Sequence, residues 1–232
     1  MLKIYGLQKM TLLDYPGHVA CTVFLNACNF RCPYCHNFEL VTGDAPPVME
    51  TEELFSFLGK RRGLLDGVAI TGGEPCLHPE LPELIRRIRS LGFKVKLDTN
   101  GCYPDMLHRL LEEGLVDYAA MDIKNSPARY AETVGLKQVD LSPVRESVNL
   151  LMGSGIDYEF RTTVVDELHD EVDFAEIGQW IRGAKRYYLQ AFTDRDTVPF
   201  GGLHAPGAEK MKNCLARVRP FVETAELRGV EG

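Results

Sequence analysis

Two kinds of segment alternate along the chain, and each kind predicts one type of secondary structure. Short apolar runs that are rich in β-branched and aromatic residues predict strands. Longer runs between them place apolar residues three or four positions apart, which predicts amphipathic helices. The predicted strands cover residues 19–25, 67–71, 94–98, 117–123, 158–164 and 186–190. The predicted helices cover residues 51–63, 81–92, 104–114, 142–155, 172–183 and 208–218.

Residues at the ends of the predicted helices support these boundaries. Gly92 and Gly114 follow the last apolar positions of two helices, where glycine commonly ends a helix. Pro104 stands in the first turn of one of them, where its missing N–H removes no hydrogen bond. Thr51 opens the first predicted helix, and Glu52 suits the positive end of the helix dipole.

The regular alternation of strand and helix predicts the fold class. Strands that are each followed by a helix form parallel sheets with right-handed crossovers, so we expect an α/β protein. Six strand–helix units of about 30 residues nearly fill the 232-residue chain and are too few for a closed eight-stranded barrel. No G-x-G-x-x-G turn follows the first strand, which disfavours a dinucleotide-binding sheet. We expect a single domain over residues 1–232, with either an open sheet or a curved, barrel-like one.

Composition and charge narrow the range of partners. Hydrophobic residues make up 45% of the chain and charged residues 25%, as in ordinary soluble proteins. The net charge of −7 argues against a nucleic-acid surface, because phosphate binding depends on clustered Lys and Arg. No apolar run approaches the ~20 residues that span a bilayer, and the first residues lack a signal-peptide pattern. We therefore expect a cytoplasmic protein with no membrane and no nucleic-acid partner.

Three of the seven cysteines lie within eight positions, in the pattern C-x3-C-x2-C. An odd cysteine count without a secretory context favours free thiols or metal ligands over disulfides. Cys28, Cys32 and Cys35 are one too few for a structural zinc site, which takes four ligands. A [4Fe–4S] cube is usually held by four cysteines, so three would leave one iron open for another ligand.

A zinc site completed by a distant ligand is the alternative for these cysteines. It is disfavoured because the second pair of closely spaced ligands that such sites use is missing. The candidates for a fourth zinc ligand are His18, His36, Cys21, Cys76 and Cys102.

The other unusual residues follow the ends of the predicted strands. The segments are TGGEP at 71–75, LDTNG at 97–101 and MDIK at 121–124, with Arg161 in the fifth strand and Gln190 at the end of the sixth. Chemistry in parallel α/β folds gathers at the carboxyl ends of the strands. If the sheet curves, these residues and the three cysteines face one cavity.

Each of these segments also has a simpler interpretation. In TGGEP, the glycines allow a backbone to approach a ligand and Glu74 can hold an ammonium group, but the segment is also a plausible turn. Asp98 and Asp122 are either buried and paired with cations or act as helix caps. Lys124 either neutralises Asp122, contacts a carboxylate of a ligand, or is solvated.

The cysteine motif, with aromatic Tyr34 before its third cysteine, and the GGEP segment after the next strand together resemble the radical S-adenosylmethionine (SAM) superfamily. The resemblance covers residues 10–195, leaves a tail at 196–232, and implies a partial (β/α)6 barrel that is open on one side. It implies that the three cysteines bind a [4Fe–4S] cluster and that SAM chelates the fourth iron. It further implies that Tyr34 lies near the adenine of SAM and that Gly72, Gly73 and Glu74 line its methionine part.

The segment TLLDYPGHVACTVFLNACNFRCPYCHN more narrowly resembles the activating enzymes of glycyl radical enzymes, especially of anaerobic ribonucleotide reductase. This likeness implies that a 5′-deoxyadenosyl radical formed from SAM removes a glycine Cα hydrogen from a partner protein, with flavodoxin or ferredoxin as electron donor. It implies that Asp98, Thr99 and the Ala120 carbonyl bind a monovalent cation. It implies that Asp122, Lys124 and Arg161 contact SAM, with Gln190 or Phe192 as a further contact. It also implies that Asp14 lies near the substrate glycine.

Two alternatives remain open at this stage. One is a radical SAM enzyme that acts on a small molecule or a peptide, and the other is a zinc-stabilised binding module. Only 15 residues separate Cys35 from Thr51, and none of them is cysteine, so we expect one cluster without a ferredoxin-like insert. The remaining cysteines are predicted to pack in the interior: Cys21, Cys76, Cys102 and Cys214.

Overall fold

The computed structural model describes residues 2–43 and 45–229. The strands are β1 Lys3–Ile4, β2 Gly6–Thr11, β3 Ala20–Leu25, β4 Met49–Glu50, β5 Gly67–Gly72, β6 Lys94–Thr99, β7 Tyr118–Asp122, β8 Asp157–Val164, β9 Arg186–Ala191 and β10 Thr224–Arg228. The helices are α1 Phe38–Thr42, α2 Thr51–Gly59, α3 Leu81–Ser90, α4 Pro104–Glu112, α5 Tyr130–Thr133, α6 Ser142–Gly153, α7 Glu171–Trp180 and α8 Ala208–Val218.

The main sheet has the strand order β2-β3-β5-β6-β7-β8-β9-β10. The strands from β3 to β10 in this sheet are parallel, and β2 pairs antiparallel with β3 at one edge. Because β2 and β10 form the two edges, the sheet is open. The six predicted strands correspond to β3 and β5 to β9, and the expected α/β fold of the open, partial-barrel type is confirmed.

The structure adds one parallel strand that the sequence pattern does not predict. Thr224 to Arg228 pairs in register with Arg186 to Gln190, so the chain after residue 196 extends the sheet through β10. The segment TAELR is short and carries two charged residues, which hides it from a search for apolar runs. As an edge strand it needs no continuous apolar sequence.

The predicted helices begin within one residue of the predicted starts, but most of them end two to four residues earlier than predicted. The α3 helix buries Leu84, Ile85 and Ile88 on one face. The α2 helix is capped by Glu50, one residue before the predicted start at Thr51, and Glu53 bonds back to the Glu50 N–H. The helix begins at Thr51 as predicted, and Glu50 takes the cap position although glutamate is less typical there than threonine.

The two faces of the sheet have different chemistry. On β6, the side chains of Val95 and Leu97 belong to the large apolar core, while Lys96 and Asp98 form an ion pair. Side chains alternate between faces along a strand, so Lys96 and Asp98 share the other face. The described helices include none that is both long enough and apolar enough to cross a membrane.

Candidate active site

All twelve residues that the sequence predicts as cluster or SAM ligands line one cavity at the carboxyl ends of the parallel strands. They are Cys28, Cys32, Cys35, Tyr34, Gly72, Gly73, Glu74, Asp98, Asp122, Lys124, Arg161 and Gln190. Thr71 and Asn100 also line the cavity and belong to segments that the sequence analysis singles out without giving these two residues a role, whereas Thr163 is not named there. The structure therefore brings the predicted set together, while the role of each member remains a prediction.

The cysteine loop follows β3 through a residue with a strained backbone conformation, and hydrogen bonds of Arg31 hold the loop in place. Ala27 has φ 59°, a left-handed conformation that disfavours residues with a Cβ. Arg31 Nη1 donates to the carbonyls of Cys28 and Phe30 at 2.7 and 2.8 Å. The Arg31 N–H donates to the Val134 carbonyl at 2.9 Å, which attaches the loop to the end of α5.

The three thiols are held in an environment that disfavours bare thiolates. Burial raises the pKa of Cys28 to about 11 and that of Cys32 to about 12. Burial also raises the pKa of Cys35. At neutral pH these groups are thiols unless a cationic centre binds them, because metal ligation requires the thiolate.

The donor set fits an iron–sulfur cluster with one open iron. The three thiols face a shared cavity, and the buried Tyr34 hydroxyl on its wall has no hydrogen-bond partner among the described residues. Within residues 2–43 and 45–229, no three His, Cys, Asp or Glu side chains come close enough to hold a single metal ion.

The two glycines of GGEP are required by backbone packing. A Cβ at Gly72 would lie 2.2 Å from the Leu25 carbonyl oxygen, and one at Gly73 would lie 1.9 Å from the Ala27 carbonyl oxygen. The Gly73 and Glu74 N–H groups donate to these two carbonyls at 2.8 Å. The close approach that the sequence suggests for a ligand is therefore made by the end of β3 and the start of the cysteine loop.

The Glu74 carboxylate lines the cavity and is also bound within the protein, while its expected contact with an ammonium group stays a prediction. It accepts hydrogen bonds from Cys76 N–H at 2.9 Å, the Thr99 hydroxyl at 2.7 Å and Asn100 N–H at 2.7 Å. Glu74 is 1% exposed. Burial raises its pKa, and the three hydrogen bonds oppose that rise. Its bonds join the carboxyl end of β5 to that of β6.

Five charged side chains on three neighbouring strands form a linked cluster. The Lys124 ammonium donates to Asp122 Oδ2 at 2.8 Å, and Arg161 Nε donates to Asp122 Oδ1 at 2.5 Å. Arg161 Nη2 lies 3.1 Å from Asp98 Oδ2, and the Lys96 ammonium pairs with Asp98 Oδ1. Burial opposes ionisation of Asp122, but Arg161 and Lys124 outweigh it and hold its pKa well below the usual range. Both aspartates are therefore ionised and paired, as one of the sequence interpretations predicts.

A buried network that the sequence analysis missed fixes the backbone of Lys124. The His169 ring lies 2.9 Å from the Lys124 carbonyl through Nε2, and its Nδ1 accepts from Val165 N–H at 3.1 Å. Asn125 donates to the Thr133 hydroxyl at 2.8 Å. Burial lowers the pKa of His169, so the ring is neutral at physiological pH. A loop histidine gives no sequence signal of this role, because its partners lie on other elements.

Asn100 connects the charged side of the cavity to the cysteine loop. Its side-chain amide donates to Asn29 Oδ1 at 2.8 Å and lies 3.8 Å from Cys28 Sγ. Its own Oδ1 accepts from Cys102 N–H at 3.0 Å. Hydrogen bonds to a ligating sulfur change the reduction potential of an iron–sulfur cluster. The sequence could have indicated Asn100, because it directly follows Asp98 and Thr99.

The structure separates the remaining candidates. Gln190 lines the cavity, whereas Phe192 is buried and stacks on His36 with 5.6 Å between ring centroids. Gln190 is thus the better placed of the two for a ligand contact. Asp14 accepts from the Thr22 hydroxyl at 2.5 Å in the hairpin before β3, and it is absent from the cavity lining.

The fold and the cavity agree with one family of enzymes, to which sequence comparison also leads. The sequence model of the radical SAM superfamily matches residues 22–180. The match covers the cysteine loop, the GGEP segment and the charged cluster, and this chain belongs to the radical SAM superfamily. Membership implies a [4Fe–4S] cluster and SAM as cofactors.

Individual relatives agree with this assignment. A proposed glycyl-radical enzyme activating enzyme of Methanocaldococcus jannaschii is 28% identical over 235 residues, which covers 99% of this chain and 97% of that protein. Pyruvate formate-lyase-activating enzyme of Clostridium pasteurianum is 30% identical over 130 residues, about half of each chain (54% and 53%). The structure of Streptococcus suis SuiB bound to SAM superposes with a TM-score of 0.67 at 12% identity over 88% of this chain and 48% of that one, a likeness of fold alone.

Proposed function

We propose that this protein is a radical SAM activase that installs a glycyl radical on a partner enzyme, an anaerobic ribonucleotide reductase. The observation that carries the proposal is the likeness to a proposed glycyl-radical enzyme activating enzyme over 99% of this chain. The choice of a ribonucleotide reductase rests on the segment TLLDYPGHVACTVFLNACNFRCPYCHN.

The cofactors supply the reaction: one electron from the reduced cluster splits SAM into methionine and a 5′-deoxyadenosyl radical, which takes the glycine Cα hydrogen to give 5′-deoxyadenosine and the glycyl radical. Cys28, Cys32 and Cys35 would hold the cluster. The Lys124 ammonium and the Arg161 guanidinium line the same cavity and would contact the carboxylate of SAM. An electron donor such as flavodoxin or ferredoxin would supply the electron.

The open sheet supports a protein substrate. A radical must form within contact distance of the hydrogen that it removes, while water is kept out of the cavity. A partner can complete the wall of an open barrel and exclude water at the same time. Glycine suits this geometry because its backbone can approach closely without a side chain.

Electron paramagnetic resonance tests the proposal directly. The protein, reconstituted with iron and sulfide, is reduced and mixed with SAM and the ribonucleotide reductase encoded by the same organism. We expect a doublet from a glycyl radical on the reductase, and no doublet when the radical-bearing glycine is changed to alanine. SAM cleavage without a radical on the partner, but with turnover of a small metabolite or peptide, would favour the alternative function.

A further inference from the structure

Asp98 is where the structure departs most from the sequence expectation. The sequence resemblance implies that Asp98, Thr99 and the Ala120 carbonyl hold a monovalent cation. In the structure, both Asp98 oxygens are occupied by protein cations, Lys96 on Oδ1 and Arg161 on Oδ2. The Thr99 hydroxyl donates its proton to the buried carboxylate of the GGEP segment. Asp98 is the charged member of the expected ligand set, and two protein cations already neutralise it, so the site does not fit a soluble cation.

The charges of the side chains linked to Asp98 also disfavour a soluble cation at this site. The linked cluster contains three positive groups, Lys96, Lys124 and Arg161, and two negative groups, Asp98 and Asp122. An added monovalent cation would increase the positive excess of these five side chains, which are partly or fully shielded from water. An added carboxylate would neutralise that excess. The cluster is thus suited to the carboxylate of a ligand without help from an ion in solution.

Lys96 is placed to supply a permanent positive charge at this point. It stands two residues before Asp98 on β6, so both side chains emerge on the same face of the sheet. Its side chain is 3% exposed, and Asp98 is its single hydrogen-bond acceptor within the described residues. A buried ammonium group is costly unless it is paired, so this lysine is held at Asp98 and cannot exchange with solvent ions.

We propose that Lys96 is the fixed counter-cation of Asp98 and that this protein binds SAM without a soluble monovalent cation. The inference rests on SAM binding in the cavity and does not depend on which partner protein receives the radical. Lys96 is a positioning residue that acts through Asp98. Asp98 holds one arm of Arg161, and Arg161 in turn holds Asp122 beside Lys124.

The test is the dependence of SAM affinity on the cation in the buffer. The reconstituted holoenzyme is titrated with SAM anaerobically by calorimetry, at equal ionic strength in potassium, sodium or tetramethylammonium chloride. For the wild-type protein, we expect the Kd for SAM to differ by less than about twofold among the three salts, since only general screening changes. For Lys96→Met, we expect a Kd about tenfold weaker in tetramethylammonium, where Asp98 has lost a charge partner. Potassium or sodium should restore the affinity of this variant.

Two further variants separate charge from packing. Lys96→Arg keeps the positive charge, and its SAM affinity should remain independent of the cation. Lys94→Met removes an exposed lysine from the same strand and should behave as the wild-type protein does. The restoring effect of potassium on Lys96→Met is a readout that a purely structural role of Lys96 would not produce.

The proposal is overturned if SAM affinity of the wild-type holoenzyme falls about tenfold when tetramethylammonium replaces potassium. This measurement uses the wild-type protein, so it tests the proposal even if Lys96→Met fails to fold. Wild-type affinity of Lys96→Met in tetramethylammonium would overturn it as well. A wild-type protein that binds SAM equally in all three salts but leaves ribonucleotide reductase without a radical would support the Lys96 proposal and contradict the proposed function.

Discussion

Removing the Glu74 carboxylate should destabilise the protein even when no cofactor is bound. Its oxygens accept three hydrogen bonds, two from backbone N–H groups and one from the Thr99 hydroxyl. In Glu74→Ala, the N–H groups of Cys76 and Asn100 lose their acceptor, and these residues, like Glu74 and Thr99, are buried. Any loss of SAM affinity would then be indirect, because Glu74 would no longer join the carboxyl ends of β5 and β6.

The magnitude follows from the number of orphaned donors. A buried donor that loses its acceptor costs about 1–3 kcal/mol, and the Thr99 hydroxyl can rotate to another acceptor while the two backbone groups cannot. Two orphaned N–H groups therefore predict a loss of about 2–6 kcal/mol in the free energy of unfolding for Glu74→Ala. Glu74→Gln should lose less, because its amide oxygen still accepts while its NH2 group faces a backbone donor.

Urea unfolding of the cofactor-free protein under reducing conditions measures this difference, with Trp180 fluorescence as the signal. The matched control is Glu83→Ala, which removes a glutamate whose side chain is 66% exposed. That variant should change the free energy of unfolding by less than about 0.5 kcal/mol. If Glu74→Ala proves as stable as this control but no longer binds SAM, Glu74 is a direct ligand contact and our interpretation is wrong.

Three more outcomes are expected. Cys32→Ala should abolish the visible absorption of the cluster after anaerobic reconstitution, while Cys214→Ala, which removes a buried thiol outside the cavity, should retain it. The pKa of Asp122 is lower in the folded protein than the unfolded value of 3.8, so the stability that its ion pairs provide is lost as the pH falls below about 4. Asp122→Asn should therefore flatten the dependence of the unfolding free energy on pH between about 5 and 2, and an unchanged slope would count against the pairing. Ala27→Gly should stabilise the cofactor-free protein by about 0.5 kcal/mol, because φ is positive at this position. The control Ala216→Gly lies within a helix and should destabilise the protein by about 1 kcal/mol. If both variants lower the melting temperature, the backbone at position 27 is not strained.

The sequence predicts the parallel strands of this fold well because each is a short apolar run followed by an amphipathic helix. It predicts the cavity for the same reason, since parallel strands place their carboxyl ends at one edge of the sheet. The strand β10 escapes this reasoning because an edge strand with charged residues resembles a loop in sequence. Its partner β9 supplies the pairing that makes it a strand.

The orientation of individual side chains was harder to predict than their location. Glu74 lies where the sequence places it, but two of its three hydrogen-bond partners, Thr99 and Asn100, are distant in the chain and carry no local signal. Lys96 could have been found, because the two-residue period of a strand puts it on the same face as Asp98. His169 could not, since its contacts to Lys124 and Val165 exist only in the folded chain.

The most direct measurement of the central claim follows the hydrogen atom itself. The ribonucleotide reductase is produced with glycine deuterated at Cα, activated anaerobically by this protein with unlabelled SAM, and the 5′-deoxyadenosine formed is analysed by mass spectrometry. Our account predicts that each molecule of 5′-deoxyadenosine formed together with a glycyl radical carries one deuterium, and that Cys32→Ala forms none. Unlabelled 5′-deoxyadenosine from the wild-type protein, formed at the same rate with or without the reductase, would contradict the account.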